Sequence, residues 1–184
     1  MNSKVLRVAC AAMIAGACAS GRTTGGVLAP ELAPAGVRSV KILLMPVPDG
    51  VERKEGVAAG SGNAMTIALR DSLVADGGLP RISQAKTLED ALEEAKRLGW
   101  RYVLKCTFTE WEDNITAWSG RPDVAALSAE LYDAQTGTLV ATATHRAQSS
   151  TMTWSANSPD ELVPRVTSAV LAKIFARTPS AGAP

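Results

Sequence analysis

The chain has one histidine, two phenylalanines, two tyrosines and three cysteines in 184 residues. A single histidine excludes most arrangements built on imidazole. A Ser-His-Asp or Cys-His apparatus could centre only on His145. Three cysteines and one histidine also leave too few ligands for a structural zinc site. No excess of either charge exists, because 19 basic residues face 18 acidic ones. No basic run or stripe is present, and binding to nucleic acid would need clustered Lys and Arg against phosphates. No cofactor and no metal is implied. A long hydrophobic run is missing too. The one apolar stretch near the amino terminus, VACAAMIAGA, has about ten apolar or small residues, against roughly 20 for a bilayer span.

What is present begins with an address. Lys4 and Arg7 precede that apolar stretch, and Ala15-Gly16-Ala17-Cys18 closes it. This is the build of a signal peptide over residues 1–17. Small residues directly before a cysteine resemble the bacterial lipobox, cut before Cys18, whose thiol then carries diacylglycerol. The position three before the cysteine is Ala15, where Leu is frequent. Cys10 is the poorer alternative, with Arg7 three residues before it. Ala19 follows the cysteine. By the sorting rule of Gram-negative lipoproteins, Asp there favours the inner membrane, so Ala19 points to the outer membrane, facing the periplasm. Residues 18–36 are rich in Gly, Pro, Ala and Thr and read as a lipidated cysteine on a flexible tether that lifts the domain off the membrane. Residues 178–184 read as a disordered tail.

Between these lies one expected domain, residues 37–177. VRSVKILLMPV is a β-type run apolar on both faces and ended by prolines. A polar, glycine-rich loop leads to a helix through MTIALRDSLVADGG, for which Ser61 or Asn63 could supply the cap. LPRIS is a short strand. Thr87 with Asp90 three residues on is a capping-box pattern before a second helix, closed by Gly99. WRYVLKCTFTEWE alternates as a strand. Two further strands meet at the turn 133–137, and Pro159 opens a last helix over about 159 to 176. The predicted order is β-α-β-α-β-β-β-α, an α/β domain with a mixed sheet packed with helices.

Two stretches could carry function. Gly60, Ser61, Gly62 and Asn63 open a helix whose amides could cradle an anion, although neither a P-loop nor a dinucleotide fingerprint is complete. WEDNITAWSGRPD, residues 111–123, carries the densest chemistry. Trp111, Trp118 and Arg121 suit a recognition surface, with Glu112, Asp113 and Asp123 beside them. The same residues equally suit a stabilised corner between strands. Carboxylates at Glu110, Glu112, Asp113 and Asp123 leave a hydrolase of envelope sugars as the rival class. Cys106 reads as a buried small hydrophobe and His145 as an exposed or half-buried strand residue. Asn114-Ile115-Thr116 is a chance glycosylation match.

WEDNITAWSGRPD followed by AELYDAQTGTLVATAT resembles the bacterial lipoprotein family known as domain of unknown function 4823, over about residues 38 to 176. The resemblance implies no activity, because the family has none assigned. At fold level the element order is similar to the amino-terminal domain of TolB. It also resembles periplasmic lipoproteins that assemble secretion pores or activate penicillin-binding proteins. By that analogy the chain is a non-catalytic module, anchored to the membrane through Cys18, that binds another envelope protein and no nucleic acid.

Overall fold

The computed structural model describes residues 21–52, 56–114, 121–149 and 159–175. Cys18, Trp118 and the leader fall outside them. The main sheet has six strands in the order β1-β8-β7-β6-β2-β5. They are β1 (Gly21–Val27), β2 (Lys41–Leu44), β5 (Leu79–Ile82), β6 (Tyr102–Glu112), β7 (Val124–Asp133) and β8 (Leu139–Gln148). β2 runs parallel to both β5 and β6, and every other pair is antiparallel. A separate hairpin, β3 (Gly50–Glu52) and β4 (Gly56–Ala58), rises from the end of β2. The helices are α1 (Ser61–Ala75), α2 (Leu88–Arg97) and α3 (Val163–Ile174), the last preceded by one 3-10 turn, Pro159–Leu162. The expected mixed α/β sheet is present, with β1, β3 and β4 added to the expected order.

Alternation along the strands decides which helix covers which face. Ile42 and Leu44 of β2 point into the larger core with Met65, Leu69 and Leu73 of α1 and Val166, Val170 and Ile174 of α3. Leu43 and Met45 point the other way, onto Ala91 and Ala95 of α2. A central strand apolar on both faces is therefore needed, and KILLM supplies it. Ile42, Leu43 and Leu44 are all fully buried, each burial contributing about 1.5–3 kcal/mol before the entropy cost of ordering. α2 begins as expected, with Thr87 Oγ1 accepting from the Asp90 amide at 3.2 Å. Pro164 lies in the first turn of α3, where its missing N–H costs no helix bond.

Two expectations are corrected here. The tether predicted over residues 18–36 does not extend through 21–27, which form β1 and pair with β8 from Gly21↔Ala147 to Val27↔Ala141. Two of the glycines that suggest flexibility, Gly21 and Gly25, serve close approach instead. Gly25 holds φ 105°, and a Cβ there would lie 2.2 Å from the Thr142 carbonyl oxygen. Beyond the strand, the Leu32 carbonyl accepts from the Tyr102 hydroxyl at 2.7 Å, so the chain stays on the domain. The second correction follows from the first. His145 is buried, because β1 covers it and Thr23 Oγ1 bonds its Nδ1 at 2.6 Å. Burial, with the positive charge of Arg165 added, holds its pKa below the usual imidazole value. Cys106 is the buried hydrophobe expected, and burial pushes its thiol well above the usual range.

Candidate functional site

The loop after β2 is laced onto the first turn of α1. Thr66 Oγ1 accepts from the Val47 amide at 2.9 Å and donates to the Gly62 carbonyl at 2.8 Å. Ser61 Oγ accepts from the Gly50 amide at 2.8 Å, and Asp49 Oδ1 accepts from the Gly62 amide at 2.8 Å. Ser61 and Asn63 therefore do not cap the helix. Gly60 occupies the cap position with φ 88°, and the carboxylate of Asp49 reaches across the loop to the helix start. A negative group at a helix amino terminus meets the positive end of the helix dipole. The anion expected at Gly60–Asn63 has a counterpart inside the chain, and Asn63 points to solvent.

Gly50 lies against Trp111, whose ring packs edge-on to Phe108 with centroids 4.8 Å apart and an interplanar angle of 67°. Trp111 is 4% exposed and belongs to the core. It still forms part of the lining of a cleft of about 520 Å³. The cleft lies between the hairpin, the start of α1 and the start of α3, lined by Glu52, Gly60, Ser61, Asp113, Asp160 and Val163 among others. It lies beyond the carboxyl end of β2, on the segment that follows that strand, the side of the sheet on which open α/β folds place their ligands. The fold thus brings Trp111 and Asp113 of one sequence candidate to Gly60 and Ser61 of the other. Glu52, Asp113 and Asp160 make its described lining acidic.

The remaining residues of the 111–123 stretch divide. Asp123 is fully buried. Its Oδ1 accepts from the Asn114 amide at 2.8 Å and its Oδ2 from Ser149 Oγ at 3.4 Å. Asn114 Nδ2 donates to the Pro122 carbonyl at 3.0 Å. These bonds tie the two ends of the 114–123 connection together, which is the work of a corner. Glu112 is half-buried, while Asp113 and Arg121 are exposed; Trp118 lies outside the described residues. Burial pushes the Asp123 carboxyl above the usual carboxylate range, and the nearby charge of Asp113 adds to it, against the bonds from Asn114 and Ser149. With the folded pKa raised, the ionised form is the disfavoured one. Stability from this group grows as pH falls from the folded pKa toward the unfolded one. Asp123→Asn keeps the Asn114 acceptor and removes the buried charge, so it should leave stability at pH 7 within about 1 kcal/mol of the parent or above it. Asp123→Ala orphans the Asn114 amide and should cost about 1–3 kcal/mol. Denaturant titrations of both variants distinguish the two.

The model of the family described as domain of unknown function DUF4823 matches residues 41–169. The chain belongs to this family. The matched span includes the hairpin, the start of α1, the corner and the first half of α3, so the whole cleft lies within the DUF4823 domain. Among solved structures the domain is similar to PelC from Paraburkholderia phytofirmans, solved as a dodecamer. That match has TM-score 0.64 and 22% identity over 86% of this chain and 100% of that one. A variant of the same dodecamer aligns at TM-score 0.59 with 21% identity, over 87% and 100%. A DUF330 protein of Xanthomonas campestris aligns at TM-score 0.51 with 12% identity, over 78% and 90%. These likenesses show a shared fold. No curated protein matches the chain.

Among the described residues of the DUF4823 domain, no three His, Cys, Asp or Glu side chains gather as a metal would need, and no helix is long and apolar enough to cross a membrane. Sequence reasoning missed the hairpin, Asp49 and the wall made by Pro159 and Asp160. The hairpin had a signal: Gly50-Val51 and Gly56-Val57 flank the charged run 52–55 almost symmetrically. Asp49 had none, because its partner Gly62 is 13 residues away.

Proposed function

We propose that this chain is a lipid-anchored binding and assembly module of the cell envelope, held by Cys18 in the periplasmic leaflet of the outer membrane, and that it works without catalysis. The lipobox-like AGAC and the Ala19 that follows it support the anchor and its place. The cleft is the observation that carries the binding role. Three separate elements converge on it, Trp111 and a set of carboxylates line it, and its floor is fastened by the bonds of the 47–50 loop. Such a mixture of apolar wall and placed polar groups suits a protein segment. The dodecamer in which PelC was solved supports assembly as work this fold can do. Asp123, one of the carboxylates a hydrolase could use, is buried in the corner and bonded to the Asn114 amide.

The test is photocrosslinking in intact cells. A benzoylphenylalanine at Ala59, on the cleft wall, should give a discrete adduct, and one at Gln135, in the β7–β8 turn, should not. Adding Asp160→Lys should reduce the Ala59 adduct several-fold with an unchanged unfolding midpoint. Adducts from Gln135 and none from Ala59 would sink the reading.

A further inference from the structure

We infer that the cleft end of the domain rests directly on the phospholipid headgroup layer, with the domain standing upright on the membrane; the inference depends on the lipidation of Cys18 proposed above. β1 begins at Gly21, so only Ala19 and Ser20 separate it from Cys18. Three steps of fully extended chain span at most about 11 Å. A free tether over residues 18–36 would instead give a root-mean-square reach of roughly 23 Å and no fixed orientation. The polar layer of one leaflet is about 5–8 Å deep. A thioether-linked glycerol at Cys18 therefore keeps Gly21 within about one to two headgroup depths of the acyl boundary.

Strand direction then decides which end of the molecule faces the lipid. Gly21 pairs with Ala147 at the carboxyl end of β8. Gln148 pairs with Val124 at the start of β7, and Val124 with Glu112 at the end of β6. β6 runs parallel to β2, whose last residue Leu44 pairs with Leu104, so this row lies at the carboxyl end of β6, beyond the end of β2, where Trp111 and Asp113 line the cleft. Asp113, Asp123 and Ser149 directly adjoin this row. The β7–β8 turn at Gln135 is at the far end, a ten-residue strand or about 34 Å away. What holds the geometry is the docking of β1: seven paired residues, the Thr23–His145 bond, and the Leu28 amide on the Val140 carbonyl at 2.7 Å. A partner of the cleft is then met at the membrane surface.

The experiment uses the lipidated full chain in phosphatidylcholine/phosphatidylglycerol vesicles that carry a nitroxide on the headgroup. A fluorophore is placed at Arg121→Cys or at Gln135→Cys; Cys10 leaves with the cleaved leader, Cys18 is blocked by lipid and Cys106 is buried, so each label is single. Quenching at 121 should exceed quenching at 135 several-fold. Gly25→Val, which cannot keep φ 105° or the 2.2 Å approach to Thr142, should free β1 and bring the two close to equal. Equal, weak quenching at both positions in a parent chain that floats with the vesicles would overturn the upright orientation while leaving lipidation standing. A parent chain that floats no better than Cys18→Ser would overturn the lipid anchor, and the orientation with it.

Discussion

Replacing Gly62 with valine is expected to lower the thermal midpoint of the domain by roughly 6–12 °C, from a cost of about 3 kcal/mol. Any Cβ at this position would lie 2.2 Å from the Val47 carbonyl oxygen, 2.7 Å from the Pro48 carbonyl carbon and 2.8 Å from the Asp49 amide nitrogen. All three are backbone atoms, so no side chain can swing away. The loop has to lift as a unit. Lifting breaks the bonds from the Val47 amide to Thr66, from the Gly50 amide to Ser61 and from the Gly62 amide to Asp49. Each is worth about 1 kcal/mol net, and more where a buried group is left without a partner. The same movement takes Gly50 off the Trp111 ring and opens the floor of the cleft. Gly62→Val should therefore weaken the Ala59 crosslink as well as lower the midpoint. Asp49→Ala removes only the carboxylate at the helix start and should cost about 1 kcal/mol, in the range of a lost cap. Calorimetry on both variants checks this, and an unchanged midpoint for Gly62→Val would show that the loop is not fastened as described.

Asp133→Ala is expected to cost about 3 kcal/mol, while Asp133→Asn should cost about 1. Asp133 is 1% exposed at the end of β7. Its Oδ1 accepts from the amides of Gln135 at 2.9 Å and Thr136 at 3.1 Å, which shapes the turn into β8. Its Oδ2 accepts from Arg101 Nε at 2.7 Å. Arg101 is half exposed, so water screens the ion pair and the amide bonds carry most of the effect. Asparagine keeps an oxygen for the two amides and loses only the arginine. Burial pushes the Asp133 carboxyl up, but the bonds from Arg101, Thr136 and Gln135 outweigh it and hold it below the usual range. A depressed folded pKa gives stability that is present above the unfolded value, near 3.9, and is lost as pH falls through the folded one. The parent should lose this contribution in acid below about pH 4, and Asp133→Ala should not. Denaturant midpoints measured from pH 7 to pH 3 test both statements. The acid response of Asp123 runs the other way, so the two carboxylates are separable by their single variants.

Much of the fold could be read before any coordinates. KILLM announces a strand buried on both faces, and Ile42, Leu43 and Leu44 are so buried. Thr87 and Asp90 announce the start of α2, and the pair bonds as expected. The family resemblance on the tryptophan motif also holds. The roles of the motif's residues were less visible. Trp111 and Asp123 are both buried, one in the core and one at a corner. Composition alone cannot separate a tryptophan that packs from one that binds, because both need the same ring.

Local pattern determined the apolar faces and the cap of α2, since each rests on residues within a few positions of one another. Only the tertiary structure decided that residues 21–27 are a strand. Their pairing partner is 120 or so residues away on β8, and no local feature of Gly, Arg and Thr reports an open sheet edge. It likewise decided that Asp49 closes the start of α1 and that the hairpin, α1 and α3 enclose a single cleft. Those contacts join segments distant in sequence, and their energy is gained only once the sheet has set the segments side by side.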